Sequence, residues 1–406
     1  MVPKGWERKA LDEISDVIDC KHRTPKYVKN GIPLVSPGTI KWGAIDLESP
    51  TKRVTAEEYE SLMDHCTVEY GDLVLSRNQS VGIASFVDSD KPFVLGQDTV
   101  LVKPKGSDPR FLFYNLQSTD TQKTIFKLAG GSTFSRINLG DIRKLKAIYP
   151  PFAEQQKIAK ILSTWDKAIS TTERLIENGI QQKKALMQQL LTGKKRLLDE
   201  SGKRFEDEWK SKVFKNILKL DRGSSPRPII QYMTDSEDGV NWIKIGDTKG
   251  EGLYINSTKE KITKEGAEKS RKVSKGEVVL SNSMSYGKPY ILNIDGYIHD
   301  GWFVIRKFEK NIDVNFLIQI LSSELIQKQY KRLAAGGVVS NISSELVYAV
   351  KVDLPSIPEQ QKIATVLTSA DKEIELLEQQ LADLQQEKKA LMQQLLTGKK
   401  RVKLND

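Results

Sequence analysis

Three pairs of polar segments carry the side chains best suited to chemistry. The first holds Lys21, His22, Arg23, Thr24, Pro25, Lys26 and Tyr27, set against Asp221, Arg222, Gly223, Ser224, Ser225, Pro226 and Arg227. In the second, Ser76, Arg77, Asn78, Gln79 and Ser80 face Ser281, Asn282, Ser283, Met284, Ser285 and Tyr286, with Lys288 just beyond. The third sets Ser132, Thr133, Phe134, Ser135 and Arg136 against Val338, Val339, Ser340 and Asn341. An arginine fork fits guanine and an Asn or Gln amide fits adenine in the major groove, while Ser, Thr and Lys suit phosphates. The chemistry implied is the reading of a duplex. Any one of these residues alone would pass for an ordinary solvated loop. Together they stand out because equivalent loops differ in sequence while the punctuation around them is kept.

Catalytic chemistry finds no comparable support. His22, His65 and His299 lie far apart, and none has the spacing of a metal ligand. Cys20 and Cys66 are too few for a disulfide framework or a four-thiolate zinc site and read as reduced, structural thiols. Gly287-Lys288 lacks the upstream glycine of a phosphate loop and runs into Pro289. Tyr149-Pro150-Pro151-Phe152 is similar to the Asn/Asp-Pro-Pro-aromatic motif of amino-methyltransferases, but Tyr149 lacks the acceptor that would hold an amino group. Its counterpart, Leu354-Pro355-Ser356-Ile357-Pro358, keeps only the passage from strand to helix. No catalytic residue, metal site or bound cofactor is expected in this chain.

The elements that position the loops are announced by a repeat. Glu154-Gln155-Gln156-Lys157-Ile158-Ala159 returns 205 positions later as Glu359-Gln360-Gln361-Lys362-Ile363-Ala364, and 183–196 returns unchanged at 388–401. Across 154–197 and 359–402, 26 of 44 positions match without a gap. Within the first copy Ile158, Leu162, Trp165, Ile169, Thr172, Ile176, Gly179, Lys183, Leu186 and Leu190 alternate steps of four and three. Ile363, Leu367, Ala370, Ile374, Leu377, Leu381, Leu384, Lys388, Leu391 and Leu395 do the same in the second. That 3.5-residue period is a coiled-coil seam. Pro151 and Pro358 suit helix starts, and Gly193 and Gly398 suit helix stops. Each helix would run about 40 residues, roughly 60 Å. The cheapest partner for each seam is the other copy, and an antiparallel pairing would hold two globular halves apart. Thr172, Gly179, Lys183 and Lys388 weaken the seam, fixing its register or opening a surface for another subunit.

The halves match weakly but share punctuation. Trp6 pairs with Trp209, Ile14 with Ile217, 70–76 with 275–281, Gly82 with Gly287 and Gly130-Gly131 with Gly336-Gly337. Residues 73–75, 83–87, 99–102, 278–280, 290–294 and 303–305 read as strands, and 109–116 and 314–325 as helices. The fold class expected is α+β: two mixed α/β domains separated by two long coiled-coil helices, for which either mutual direction is topologically possible. The divisions are 1–150, a first globular domain; 151–196, a first long helix; 197–357, a linker and second globular domain; and 358–406, a second helix and tail. With 406 residues, 38% hydrophobic, and a net charge of +10, the chain suits a polyanionic partner. No run approaches the roughly 18 apolar residues of a membrane span, and the start lacks a signal peptide's apolar stretch. A cytoplasmic location is expected.

The whole arrangement resembles the specificity subunit of Type I restriction-modification systems. The residues carrying the likeness are 358–364, their partner 154–159, the repeated 186–196 and 391–401, and the Trp6 and Trp209 entries. The resemblance implies two target-recognition domains, 1–150 and the one within 197–357, separated by two long antiparallel coiled-coil helices with pseudo-twofold symmetry. Each domain would read half of a bipartite, asymmetric DNA site, with helix length helping to set the unspecified spacer. It implies two modification subunits that methylate adenine N6, and two ATP-dependent restriction subunits. S-adenosylmethionine, ATP and Mg would then belong to those partners, and this chain would not be an enzyme. Two rivals differ in kind. A methyltransferase-nuclease without separate subunits would need the cofactor motifs missing here. A coiled-coil adaptor that does not bind DNA would explain the helices but not two diverged, loop-bearing halves.

Overall fold

The computed structural model describes residues 2–130, 136–248, 252–283, 287–308, 312–333 and 341–404. Two compact units emerge, Met1–Arg174 with Glu378–Asp406, and Leu175–Leu377. Both follow one plan, a sheet-bearing head completed by a part of each long helix.

The first unit begins with β1 (Glu7–Ala10), α1 (Leu11–Ile14), β2 (Ser15–Asp19), β3 (Ile32–Val35), β4 (Gly43–Ala44) and β5 (Arg53–Val54). There follow α2 (Ala56–Met63), β6 (Leu73–Ser76), β7 (Ala84–Phe86), β8 (Val94–Leu95) and β9 (Thr99–Pro104). Next come α3 (Pro109–Gln117), α4 (Thr119–Leu128), α5 (Leu139–Arg143), β10 (Lys146–Tyr149) and the start of α6 (Phe152–Leu190). One sheet has the order β2-β9-β6-β7-β4 and a smaller one β5-β3-β8. Leu73, Leu75, Val100 and Val102 point to a core shared with α3 and the helix ends, whereas Val74 and Leu101 join Val35 and Val94 in a second core. Both faces of β6 and β9 are therefore covered, and their unbroken apolar runs follow from that. β1 and β10 pair antiparallel and close the head where chain enters and leaves.

The second unit repeats the scheme. Its order is β11 (Lys210–Val213), β12 (Leu218–Arg222), β13 (Met233–Thr234), β14 (Val240–Ile243), β15 (Tyr254–Ile255) and β16 (Glu260–Ile262). Then come α7 (Lys264–Glu268), β17 (Arg271–Val273), β18 (Val278–Ser281), β19 (Pro289–Leu292), β20 (Gly296–Ile298) and β21 (Trp302–Phe308). α8 (Val314–Leu321), α9 (Glu324–Leu333), α10 (Ser344–Tyr348), β22 (Lys351–Leu354) and α11 (Ile357–Leu395) complete the chain. Its sheets are β12-β21-β18-β19-β15 and β13-β16-β14-β20-β17, with β11 on β22 as the closing pair. The helix expected over 314–325 is two helices, α8 and α9, separated by Ser322 and Ser323. α11 begins one residue before Pro358.

The seam emerges as the periodicity requires. On α11, Ile363, Leu367 and Leu395 are buried, and the other seam residues are half-buried, while most positions between them are exposed. Within the first unit, Asp166 of α6 meets Lys388 of α11 at 2.5 Å. Within the second, Lys183 of α6 pairs with Asp371 of α11, and Gly179 leaves room for Ile374. Falling residue numbers on one helix meet rising numbers on the other, so the helices run antiparallel in both units. The two seam lysines thus have carboxylate partners and fix the register. The same carboxylates tie each head to the helices: Tyr114 Oη donates to Asp166 at 2.5 Å and Gln319 Nε2 to Asp371 at 2.9 Å.

The repeated Glu-Gln pair has a matching task in each unit. Glu154, 2% exposed, accepts from Trp6 Nε1 at 3.2 Å and from Arg401 Nε and Nη2 at 2.6 and 2.7 Å. Glu359, fully buried, accepts from Trp209 Nε1 at 3.2 Å and from the Arg196 fork at 2.6 and 2.7 Å. Gln155 Oε1 accepts from Asp108 N at 3.0 Å and Gln360 Oε1 from Asp313 N at 2.9 Å, and each of those aspartates caps the following helix, α3 or α8. Each clasp therefore joins a tryptophan at the start of a head, the first turn of one repeat and the tail of the other.

Candidate nucleic-acid interface

In the first head the first two loops, and Arg136 at the end of the third, meet at one end of the main sheet. β2 delivers the first loop, the β6–β7 turn is the second, and the third follows α4. Asn78 forms a β-bridge with Arg136, and Ile137 N donates to Arg77 O at 3.0 Å. Arg77 is only 6% exposed. Its Nη1 donates to both carboxylate oxygens of Asp19, at 2.8 and 3.0 Å, and its Nε to Ile137 O at 3.2 Å. Its own N donates to Asp98 O at 2.8 Å, while the Asp98 carboxylate pairs with Arg136 at 2.6 Å. Gln97 Nε2 reaches Thr24 Oγ1 at 3.4 Å. Between these segments lies a cleft of about 250 Å³, bordered by Arg23, Tyr27, Asn78, Gln79, Gln97 and Asp98.

Around that cleft Arg23, Thr24, Lys26, Gln79 and Arg136 are exposed, and Lys21 and Asn78 are half-buried. Gln79 adopts φ +57°, with its N donating to Asn78 Oδ1 at 2.7 Å, so the turn pushes its amide outward. Arg23 forks onto Glu58 at 2.7 and 3.2 Å, and Lys21 Nζ reaches Asp64 at 2.6 Å. These cations are neutralised within the head.

Corresponding loops meet in the second head. Ser283 forms a β-bridge with Asn341, and Ile342 N donates to Asn282 O at 2.7 Å. Asn282, 3% exposed, donates from N to Gly301 O at 2.9 Å and from Nδ2 to Asp300 O at 2.8 Å. Asp300 also gathers the first loop: Ser225 Oγ donates to Oδ1 at 3.0 Å and Arg222 Nε to its carbonyl at 3.3 Å. Gly223 lies so close to the next segment that a Cβ would come within 2.0 Å of His299 O, so only glycine fits. Burial holds the His299 ring below its ordinary pKa. Arg222, Asn282, Asn341 and Ser343 border a cleft of about 450 Å³.

In this head Arg222, Arg227 and Asn341 are exposed, whereas Ser224, Ser225, Ser283 and Lys288 are half-buried. The Lys288 ammonium lies 5.4 Å from the Tyr290 ring centroid. Four of the expected contact residues, Ser132, Thr133, Tyr286 and Ser340, lie outside the described residues, as do Phe134, Ser135, Met284, Ser285, Val338 and Val339.

The described parts of the loops are brought together, and three of the residues expected as contacts are buried. Ser76 is fully buried, with Oγ donating to Asn78 O at 2.6 Å, and the Arg77 and Asn282 side chains are hydrogen-bonded within their heads as described. Conversely, Gln97, Asp98 and Asp300 were missed. They precede β9 and β21, and Gln97 and Asp300 stand 203 positions apart, as do Asp98 and Gly301 and as do Trp6 and Trp209, so the signal was in the register. Asp19, Cys20 and His22 place three metal-capable atoms within 4.8 Å of one another. Both Asp19 oxygens, however, already take Arg77, and burial pushes the Cys20 thiol up. Among the described residues no helix is long and apolar enough to cross a membrane.

Comparison with known proteins places this arrangement. Residues 3–182 and 206–386 match the family model of the Type I restriction modification DNA specificity domain. A relative from Methanocaldococcus jannaschii, described as the type I restriction enzyme MjaX specificity subunit, is 29% identical over 99% of this chain and 95% of its own. The MjaVIII specificity subunit of the same organism is 28% identical over 74% of this chain and 72% of its own. The crystal structure of the S subunit from M. genitalium shares the fold with a TM-score of 0.62 at 17% identity, covering all of both chains. A chain from a study of complex assembly and conformational transition in the type I system gives 0.59 at 15% identity over 98% of both.

Proposed function

Because this chain belongs to the Type I restriction-modification DNA specificity family, as a specificity subunit that is itself non-catalytic, we propose that its two heads read the two dissimilar halves of one bipartite duplex site. The observation carrying this reading is that, in each head, the described residues of loops of different sequence are pinned on the same frame: Arg77 and Asn78 beside Arg136, and Asn282 and Ser283 beside Asn341. In the first head Lys21, Arg23, Thr24, Lys26, Asn78, Gln79 and Arg136 are the contact residues, with Ser132 and Thr133. In the second they are Arg222, Ser224, Ser225, Arg227, Ser283, Lys288 and Asn341, with Tyr286 and Ser340. The net charge of +10 favours the phosphates, and base preference comes from the Arg, Asn and Gln side chains.

On this reading residues 1–150 and the head within 197–357 are the recognition domains, and 151–196 and 358–406 are the helical scaffold. The double-stranded DNA would be held for two modification subunits, which extrude an adenine and methylate it, and for two restriction subunits. S-adenosylmethionine, ATP and Mg would reside in those partners. The complex would act in the cytoplasm. Genome-wide mapping of N6-methyladenine with and without this chain tests the proposal: a single two-part motif should vanish when the chain is deleted. Persistence of the motif would refute it. Binding by the assembled complex should also weaken steeply with salt, log affinity falling linearly with log salt concentration.

A further inference from the structure

Resting on that reading, we infer that Arg77 and Asn282 are positioning residues that lock the three loops of their own head into one reading surface, and do not themselves read bases. The sequence offers both as ideal base readers, arginine for guanine and asparagine for adenine. The structure turns both inward. They occupy equivalent places, 205 positions apart, immediately after β6 and β18.

Their backbone duties are the same. Arg77 N donates to Asp98 O, and Asn282 N to Gly301 O. Their carbonyls accept from Ile137 N and Ile342 N, which begin the segments leaving the third loops. The residue after each forms the β-bridge to the third loop, Asn78 to Arg136 and Ser283 to Asn341. Second and third loops are thereby stitched in both heads.

The side chains then capture the first loop, by different chemistry. Arg77 reaches it directly, gripping both oxygens of Asp19 at the end of β2 while its Nε holds Ile137 O. Asn282 reaches it through Asp300: its amide donates to the Asp300 carbonyl, which also takes Arg222 Nε, while the Asp300 carboxylate takes Ser225. With Nε and Nη1 committed to a carbonyl and a carboxylate and the residue only 6% exposed, Arg77 does not present its fork to a guanine. Removing the side chain leaves the backbone stitching and frees the first loop from the other two.

That difference is measurable. A base contact governs one base pair, and its loss relaxes one position of the target. A lock governs the posture of every contact in its head, and its loss relaxes the whole half-site. The test uses the full chain assembled with its modification subunits, methylating a DNA library randomised across both half-sites. The unaltered complex must first return a two-part motif; if it returns none, the underlying function fails and the lock is not at issue.

Given that motif, Arg77→Ala should flatten all specified pairs of one half-site, each mismatch penalty dropping from roughly 5- to 150-fold to near parity. The other half-site should keep its preferences. Asp19→Asn, which leaves the arginine in place, should produce the same flattening, and it decides the matter if the alanine variant does not assemble. Arg77→Lys, able to pair with Asp19 but not also to span to Ile137, should restore part of the selectivity. Asn282→Ala should flatten the opposite half-site. Loss confined to a single base pair on Arg77→Ala would overturn the inference. So would a uniform fall in activity with both preferences unchanged, which a purely structural role predicts.

Discussion

The two heads share a frame and differ in how they hold charge. In the first, the lock is an ion pair, and the exposed arginines at the cleft are paired with carboxylates, Arg23 with Glu58 and Arg136 with Asp98. In the second, the lock is a neutral amide on a backbone carbonyl. Arg227, with 84% of its side chain exposed, stands 3.6 Å from its nearest carboxylate on Asp300. The second sheets differ as well, three strands against five. A conserved set of backbone hydrogen bonds thus tolerates wholesale replacement of the side chains it supports. That tolerance is what a scaffold for changeable recognition requires, since loops can be exchanged without rebuilding the core.

The sharpest way to break the comparison is to exchange a whole head. Replacing residues 1–150 with those of a relative should give a new sequence in one half of the methylated motif and leave the other half untouched. A change in both halves would mean that the heads are not independent. Next in size are the clasps. Arg196→Ala strands the buried Glu359, and Arg401→Ala strands Glu154. Leaving one partner of a buried pair costs on the order of 3 kcal/mol, read from urea unfolding. Arg196→Ala should be the worse, because its side chain is 19% exposed against 45% for Arg401.

Acid should separate the heads by a smaller margin. The His299 ring is held below its ordinary pKa by burial, with Nδ1 accepting from Gly301 N at 2.6 Å. The unfolded chain therefore takes up the proton first. This contribution is fully present above the ordinary value of about 6.5 and is lost as pH falls from there toward the lower folded value. Hydrogen exchange should show the second head loosening first on acidification, and His299→Gln should remove that sensitivity. The smallest effect concerns the paired cations. Glu58→Gln frees Arg23 and should tighten non-specific duplex binding roughly two- to fivefold, with a steeper salt dependence by fluorescence anisotropy. Asp300→Asn, opposite the looser Arg227, should do less.

Much of this was legible in the residues. The 3.5-residue seam was readable because a buried stripe must repeat with the helix. The strands at 73–75, 99–102, 278–280 and 303–305 were readable because sheets covered on both faces need unbroken Val, Ile and Leu. The lysines at seam positions 183 and 388 were visible too, though their partners Asp166 and Asp371 were not, since they lie off the apolar stripe. The loops were legible as polar segments on a shared frame, but the burial of Ser76, Arg77 and Asn282 was not. Arginine offers the same fork to a guanine and to an aspartate, and only the fold reveals that Asp19 sits opposite Arg77. The short strands β4, β5, β8, β13 and β15 escaped notice because two residues carry no period.

The clasp at Glu154 has a topological consequence. Arg401 also donates to Lys4 O at 2.9 Å, and Gly398 lies against Pro3, so the residues that open the first head and those that follow α11 are neighbours. Arg401 must be synthesised before the head made first can be fastened, whereas the later head finds its fastening arginine, Arg196, already in place.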